Sequence, residues 1–389
     1  MFIDLTDDQR KLRDELREYF RDLISPTERA ELSEELNGAA YARIVRRMGG
    51  DGWLGVGWPV EYGGRGYGAM EQQIFVNEVN RAEIPYPVIT LQTVGPTLMR
   101  FGSAAQKDYF LPRILAGELH FAIGYTEPGA GTDLASLRTR AVRDGDGYVV
   151  NGQKLYTTGG HTADYIWLAC RTDPDAPKHD GISILIVDTT SPGFSWTPIV
   201  TSDGRHHTNA TYYSDIRVPL DMRVGEENAG WRMITTQLNH ERIALGPAGA
   251  LARFHDRFVA WARRPGPGGR PPIDEPAVRR AVGEVYAAVT VNQLFNWQVA
   301  AAMDAGGYGV AEASATKVFG SERQQELGHL IADVVARYGD PGDPETDHLQ
   351  RWVDRAAKSS LVLTFGGGVN EVQRELIATL GLRLPRVPR

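Results

Sequence analysis

The apolar period of this 389-residue chain changes twice, and the double change limits the folds open to it. Residues 1 to about 118 read as helical: Thr6 and Gln9 make a capping-box start, and Leu12, Leu16, Phe20 and Leu23 continue one stripe. The loop 58–68 (WPVEYGGRGYG) interrupts this block before a helix from about Met70. From about 119 the period falls to two. Asp-Gly-Asp-Gly at 144–147 is a hairpin signal between strands at 139–143 and 148–155. Further strands are expected at 165–171, 182–188, 194–199 and 209–218. After Gly230 the helical period returns through 231–251, 277–302 and 311–338, with a last helix from about Asn370. Breaks fall at 264–272 (RPGPGGRPP) and 339–344 (GDPGDP). The sum is an α+β chain: a helical domain over 1–118, a β-domain over 119–228 and a helical bundle over 229–389.

Composition narrows the function. A net charge of −7 with no basic run argues against nucleic acid, so an anionic cofactor or CoA ester would need local arginines. The single cysteine, Cys170, excludes an intramolecular disulfide and cysteine-rich metal sites, and its apolar surroundings suggest a buried, inert thiol. The N-terminus is acidic and amphipathic, and no apolar run reaches membrane-spanning length, so a cytoplasmic protein without a membrane partner is expected.

Two segments carry chemistry. YTEPGAGTDLAS at 125–136 joins hydroxyls and acids to glycines that let a backbone approach a ligand closely. KLYTTGG at 154–160 sets an aromatic ring before hydroxyls and glycines, a combination able to stack on a flat ring and bond its edge. Alone, each would be an ordinary turn or a polar strand end.

Together they resemble the acyl-CoA dehydrogenase family. The first is similar to its T-E-P-x-A-G-S/T-D flavin loop, the second to its W-I-T-N-G-x segment, and GGGVNEVQRELIA near the C-terminus to its G-G-G-T-N-E-I-Q-R. The resemblance spans nearly the whole chain. It implies an acyl-CoA dehydrogenase-like α+β fold: an N-terminal α-helical domain, a middle β-domain and a C-terminal four-helix bundle. It also implies FAD, with hydride passing from Cβ of an acyl-CoA to flavin N5 while a carboxylate removes the α-proton. Tyr125, Thr126 and Thr132 would contact the flavin and pyrophosphate side. Tyr156 would replace the usual tryptophan against the ring, Thr158 would approach N5, and Glu371 would serve the cofactor. Thr132, Asn239 and Arg242 match positions at the substrate. Tyr125 is bulkier than the family residue and Thr157 replaces an apolar one, which bears on packing at the ring. Glu127 and Asp133 would brace the flavin loop.

The base needs a carboxylate desolvated enough to be basic. Ile234, Leu238, Glu241 and Leu245 fall on one helical stripe, which puts Glu241 on an apolar face. Adjacent Arg242 does not face it; an ion pair with a distant arginine is the alternative left open. Most family members carry the base in a C-terminal Y-E-G, where this chain has Gly367. A minority, isovaleryl- and long-chain-type enzymes among them, carry it on the helix that here holds Glu241, which the resemblance therefore makes the base. His206 and His207 read as solvated turn residues without metal-ligand spacing; His161, just after the second segment, reads as a group supporting that segment or, by default, as a surface residue.

Two family elements are missing. R-x-x-F-G, which reaches a neighbour's FAD pyrophosphate, is replaced by the Pro/Gly stretch 263–272. Q-x-x-G-G-x-G-Y, which cradles the neighbour's adenosine, is replaced by VARYGDPGDP at 335–344. Both act across a subunit interface. The pattern resembles the catalytic α subunit of heterotetrameric actinobacterial steroid side-chain acyl-CoA dehydrogenases. It implies an α₂β₂ assembly with a second acyl-CoA dehydrogenase-like subunit. The implied substrate is a steroid-CoA with a shortened, 2-methyl-branched propionyl-CoA side chain, and an electron-transfer flavoprotein is the expected acceptor. The competing readings are an oxidase or dehydrogenase for another branched acyl-CoA, and a non-catalytic subunit of a heteromeric complex.

Overall fold

A computed structural model describes residues 4–240, 246–266, 269–307 and 309–385. Helix α1 (Asp7–Leu23) starts at the expected capping box: Thr6 N–H donates to Gln9 Oε1 at 3.0 Å and Gln9 N–H to Thr6 Oγ1 at 3.3 Å. Its stripe Leu12, Leu16, Phe20 and Leu23 is buried. Five helices follow: α2 (Pro26–Glu34), α3 (Ala39–Gly50), α4 (Ala69–Arg81), α5 (Gly95–Phe101) and α6 (Ala104–Leu115).

The strands are β1 (Phe121–Gly124), β2 (Arg140–Asp144), β3 (Gly147–Lys154), β4 (Tyr165–Arg171), β5 (Ile182–Asp188), β6 (Phe194–Val200), β7 (His206–Pro219) and β8 (Arg223–Val224). They form one sheet in the order β6-β7-β3-β2-β4-β5-β8, with β1 parallel to β4. The Asp-Gly-Asp-Gly signal joins β2 to β3, and Gly145 takes the left-handed conformation (φ 60°) the turn needs. Strands β1 and β8, four and two residues long, are too short to leave a period in the sequence.

The last helices are α7 (Gly230–His240), α8 (Ala248–Arg263), α9 (Pro276–Asp304), α10 (Val310–Tyr338), α11 (Pro344–Ser360) and α12 (Asn370–Leu376). The single helix expected over 231–251 is interrupted. Gly246 sits at φ 60°, and Pro247, which has no N–H to give, caps α8 instead. Helix α11 was not expected: the Gly/Pro break at 339–344 is also its start, where Asp343 accepts the N–H groups of Glu345 and Thr346 ahead of Pro344.

The chain divides into two compact units. One holds α1, α4 and α8–α12. Its core draws Phe254 and Phe258 from α8, Val278 and Val285 from α9, Leu327 and Ile331 from α10, and Leu349 and Val353 from α11, a four-helix bundle. The other holds α2, α3, α5–α7 and the sheet, with Tyr148, Val150, Ile166, Leu168, Leu185, Val187 and Ile216 at its centre. Cys170 is buried there, and desolvation pushes its thiol up to about 12, so it is inert. Among the described residues no helix is long and apolar enough to cross a membrane.

Within the helical unit, a Cβ on Gly249 would lie 1.8 Å from the backbone oxygen of Asn77 in α4, whereas one on Gly283 in α9 would meet nothing within 4 Å. Gly249→Ala therefore forces α4 and α8 apart and costs about 1–3 kcal/mol. Gly283→Ala gains about 0.4–1 kcal/mol by restricting the unfolded chain. Urea unfolding midpoints should move in opposite directions for the two variants.

Candidate functional site

Segment 125–136 leaves β1 and segment 154–160 leaves β3, and the sheet brings their beginnings together. Lys154, the last residue of β3, is fully buried. Its Nζ donates to Tyr125 O at 3.0 Å and to Glu127 Oε1 at 2.8 Å. Leu155 N–H donates to Thr126 O at 2.8 Å, so each segment holds the other's backbone. Glu127, 8 % exposed, also accepts the N–H groups of Arg138 (2.7 Å) and Thr139 (2.8 Å), tying the far end of the loop to its start. Burial opposes the charge on Glu127, but the Lys154 ammonium and the Thr139 N–H together hold its carboxyl below the usual carboxylate range. At the tip Asp133 takes Lys178 Nζ at 2.9 Å and the Ser136 hydroxyl. Both acids brace the loop, as the sequence suggested.

The hydroxyl of Tyr125 donates to Gln237 Oε1 on α7 and accepts from Trp167 Nε1 at 3.2 Å. The extra bulk at position 125 is thus used as a polar link between loop, sheet and helix. Thr157 is buried with its hydroxyl 3.1 Å from that of Thr211, so the hydroxyl that replaces an apolar group finds a partner. Tyr156, 60 % exposed, has φ 58°, a strained left-handed conformation that is rare outside glycine. Thr132 and Thr158 are exposed, and Thr126 is half-buried.

These features fit a flat group with polar edges. Added Cβ atoms on Gly129 and Gly131 would meet no atom within 4 Å, so the loop backbone is open to close approach. Tyr156 offers an aromatic face, and Thr126, Thr132 and Thr158 offer hydroxyls. The Nε2 of Gln237 is buried without a partner, a donor ready for a bound acceptor. The isoalloxazine and pyrophosphate of FAD have the matching chemistry.

Of the other residues singled out, Glu371 is exposed in the first turn of α12, in the helical unit. The loop before it is held by Lys317, whose Nζ donates to Gly368 O and to Asn370 Oδ1 at 2.7 Å. Glu241 and Arg242 lie outside the described residues, and so does the side chain of Asn239 on α7. Of the histidines, His206 differs from expectation. His206 opens β7, half-buried, with Nε2 2.7 Å from Asn209 Oδ1, and His161 is half-buried with Nδ1 2.9 Å from Asn209 Nδ2. Pairing of β7 with β6 draws this stretch into the sheet, so His206 is no solvated turn residue. Among the described residues no cluster of His, Cys, Asp and Glu is able to hold a metal ion.

Sequence reading missed Lys154, Trp167, Asn209 and Gln237 as site residues. Lys154 shares the inward phase of Tyr148 and Val150 along β3, and Gln237 follows Ile234 by three on α7, so both carried a signal as polar residues on apolar faces. Trp167 lay inside an all-apolar strand and gave none.

Three domain models of one family match this chain in order: the acyl-CoA dehydrogenase N-terminal domain over 6–118, the middle domain over 122–215 and the C-terminal domain over 228–381. The chain belongs to the acyl-CoA dehydrogenase family, whose members are FAD-dependent oxidoreductases. Acyl-CoA dehydrogenase FadE29 of Mycobacterium tuberculosis is 64 % identical over the full length of both chains. Among solved structures, a chain of the ChsE4-ChsE5 complex from Mycobacterium tuberculosis matches at 49 % identity and TM-score 0.90, covering 100 % of both chains. A chain of the Tcur3481-Tcur3483 steroid acyl-CoA dehydrogenase matches at 47 % and 0.91, again over 100 % of both.

Removing one partner of the buried pair leaves a lone charge. Lys154→Met should cost about 3–5 kcal/mol and lower FAD retention. Because the carboxyl of Glu127 is depressed from 4.5, its contribution is complete above that value and is lost as pH falls through the lower folded value. Glu127→Gln should flatten this acid limb, read as unfolding midpoint against pH.

Proposed function

We propose that this chain is the catalytic subunit of a heteromeric acyl-CoA dehydrogenase that desaturates the α,β-bond of a steroid-CoA bearing a shortened, 2-methyl-branched propionyl-CoA side chain. The observation that carries the catalytic reading is the union of segments 125–136 and 154–160 through Lys154, which assembles one ring-facing surface. The steroid reading is supported by the 47 % identity, over full length, to a structure described as a steroid acyl-CoA dehydrogenase.

Domains are read at 1–118, 119–228 and 229–389. Glu241 takes the α-proton and becomes a neutral acid. FAD, when bound, supplies the hydride acceptor at N5 for the β-hydrogen and its electron pair, leaving an α,β-enoyl thioester. Tyr156 faces the ring and Thr158 the N5 edge; Tyr125, Thr126 and Thr132 hold the flavin and pyrophosphate side, and Glu371 serves the cofactor from the first turn of α12. Thr132, Asn239 and Arg242 orient the thioester and pantetheine. A second acyl-CoA dehydrogenase-like subunit completes the adenosine end in an α₂β₂ assembly, because 263–272 and 335–344 lack the residues for that work. An electron-transfer flavoprotein takes the electrons onward.

Glu241→Gln tests the role of the base. The variant complex should stay yellow and bind substrate, while flavin reduction in stopped flow slows by roughly 10²- to 10⁴-fold. Reduction at the wild-type rate removes Glu241 from its role. In the same assay the steroid propionyl-CoA should reduce the flavin faster than straight-chain acyl-CoAs, and the reverse order overturns the substrate reading.

A further inference from the structure

Tyr156 is one of five described residues other than glycine held at positive φ, and it is 60 % exposed, so its own side chain does little to keep it there. What restrains the segment lies one residue on. Thr157 N–H donates to Asn209 O at 2.9 Å, and Asn209 Nδ2 donates to Thr157 O at 3.1 Å. Asn209 thus meets both backbone polar groups of Thr157, the N–H through its own backbone and the carbonyl through its side chain, and Thr157 O also accepts the Gly160 N–H at 3.1 Å. Gly159 N–H donates to His207 O at 2.9 Å, a further hold from the same strand.

Asn209 is 0 % exposed, and its remaining polar groups meet two imidazoles. A carbonyl oxygen only accepts, so the Asn209 atom facing Thr157 O is the amide nitrogen. That same nitrogen lies 2.9 Å from His161 Nδ1, which must then be an acceptor with no proton. His161 is thereby fixed as neutral, with its hydrogen on Nε2. The amide oxygen, on the other side, accepts from His206 Nε2 at 2.7 Å. The rings of His161 and His206 lie 4.3 Å apart, and Trp196 of β6 stacks on His206 at 5.7 Å.

We infer that Asn209 is a positioning residue for the flavin-facing segment 156–160, and that it does so only while His161 is neutral. The inference rests on the reading that Tyr156 and Thr158 face the ring. Protonating His161 sets an N–H against the Asn209 N–H₂. Rotating the amide does not relieve the conflict, because its oxygen then opposes Thr157 O, a carbonyl that can only accept. Either way the side-chain hold on Thr157 O weakens, which leaves the strained Tyr156 restrained by the backbone bonds of Leu155, Thr157, Gly159 and Gly160 alone.

The groups facing His161 are His206 and His207 of β7 and Glu35 beside α2. Burial lowers His161 from its ordinary value first, and the two histidines add to this, while Glu35 acts against them. The neutral state therefore prevails at neutral pH and fails on acidification.

The test uses the FAD-loaded complex from roughly pH 5 to 8. Two quantities are followed: the visible circular dichroism of the flavin, and His161 titration by C2–H exchange and mass spectrometry. Wild type should show one flavin transition with the His161 midpoint, below 6.5. Asn209→Asp should raise both midpoints by about one unit or more, since a carboxylate favours the charged imidazole. His161→Gln should keep FAD and abolish the transition. A His161 midpoint at or above the ordinary value, or midpoints unmoved by Asn209→Asp, overturns the inference and leaves the ring assignment standing. A depressed His161 midpoint with a flat flavin signal overturns the inference together with the placement of segment 156–160 at the ring. If Asn209→Asp does not fold, His161→Gln decides alone: a flavin transition that persists in it overturns the inference.

Discussion

The ion pair of Lys154 and Glu127 is the interaction on which the site depends. A lysine at 0 % exposure is tolerated only because its ammonium meets a carboxylate and a backbone carbonyl together. The carboxylate in turn closes the flavin loop on itself through the N–H groups of Arg138 and Thr139. One buried pair thus fixes the end of β3, the start of segment 125–136 and its return to β2. Its value is geometric: two segments nearly thirty residues apart present their hydroxyls and aromatic ring from a common base. The exposed parts, Tyr156, Thr132 and Thr158, are restrained chiefly from beneath, with the Thr158 hydroxyl donating to that of Thr208 at 3.4 Å.

A second restraint comes from β7, where Thr211 and Asn209 take the hydroxyl and backbone of Thr157. Segment 156–160, YTTGG, which departs from the family pattern at Tyr156 and Thr157, is thus bonded to β7 through backbone and side chains. Thr157 costs little in the interior because β7 presents a hydroxyl opposite it. Tyr125, large for its place, spans from loop to α7 through Gln237. These two departures, Thr157 and Tyr125, are each matched by a polar residue elsewhere in the chain.

Much of the fold was legible because long helices and regular strands leave a period. The α1 capping box, the β2–β3 hairpin and the bounds of β4 and β5 follow directly from the residues. Strands of two to four residues and the start of α11 did not, since a Gly/Pro cluster signals a break without saying whether a helix begins inside it. The two flavin segments were legible as motifs, whereas their buried supports were not. Asn209 and Trp167 act through tertiary neighbours, and no local spacing announces them. His206 misled because a polar, turn-like stretch is drawn into the sheet by β6 and β7.

The family motifs kept within this chain and those missing from it divide cleanly. The two segments that would act on the ring side are kept with local substitutions, whereas 263–272 and 335–344 carry Pro/Gly stretches where the family resemblance expects residues that serve a neighbour's FAD. The central claim is that this chain supplies the ring-side half of an FAD site whose other half belongs to a different subunit. Native mass spectrometry of the chain purified with whatever it binds in its own cells tests this most directly. The account predicts two copies of this chain, two of a second acyl-CoA dehydrogenase-like subunit and two FAD. A tetramer of this chain alone carrying four FAD would contradict it.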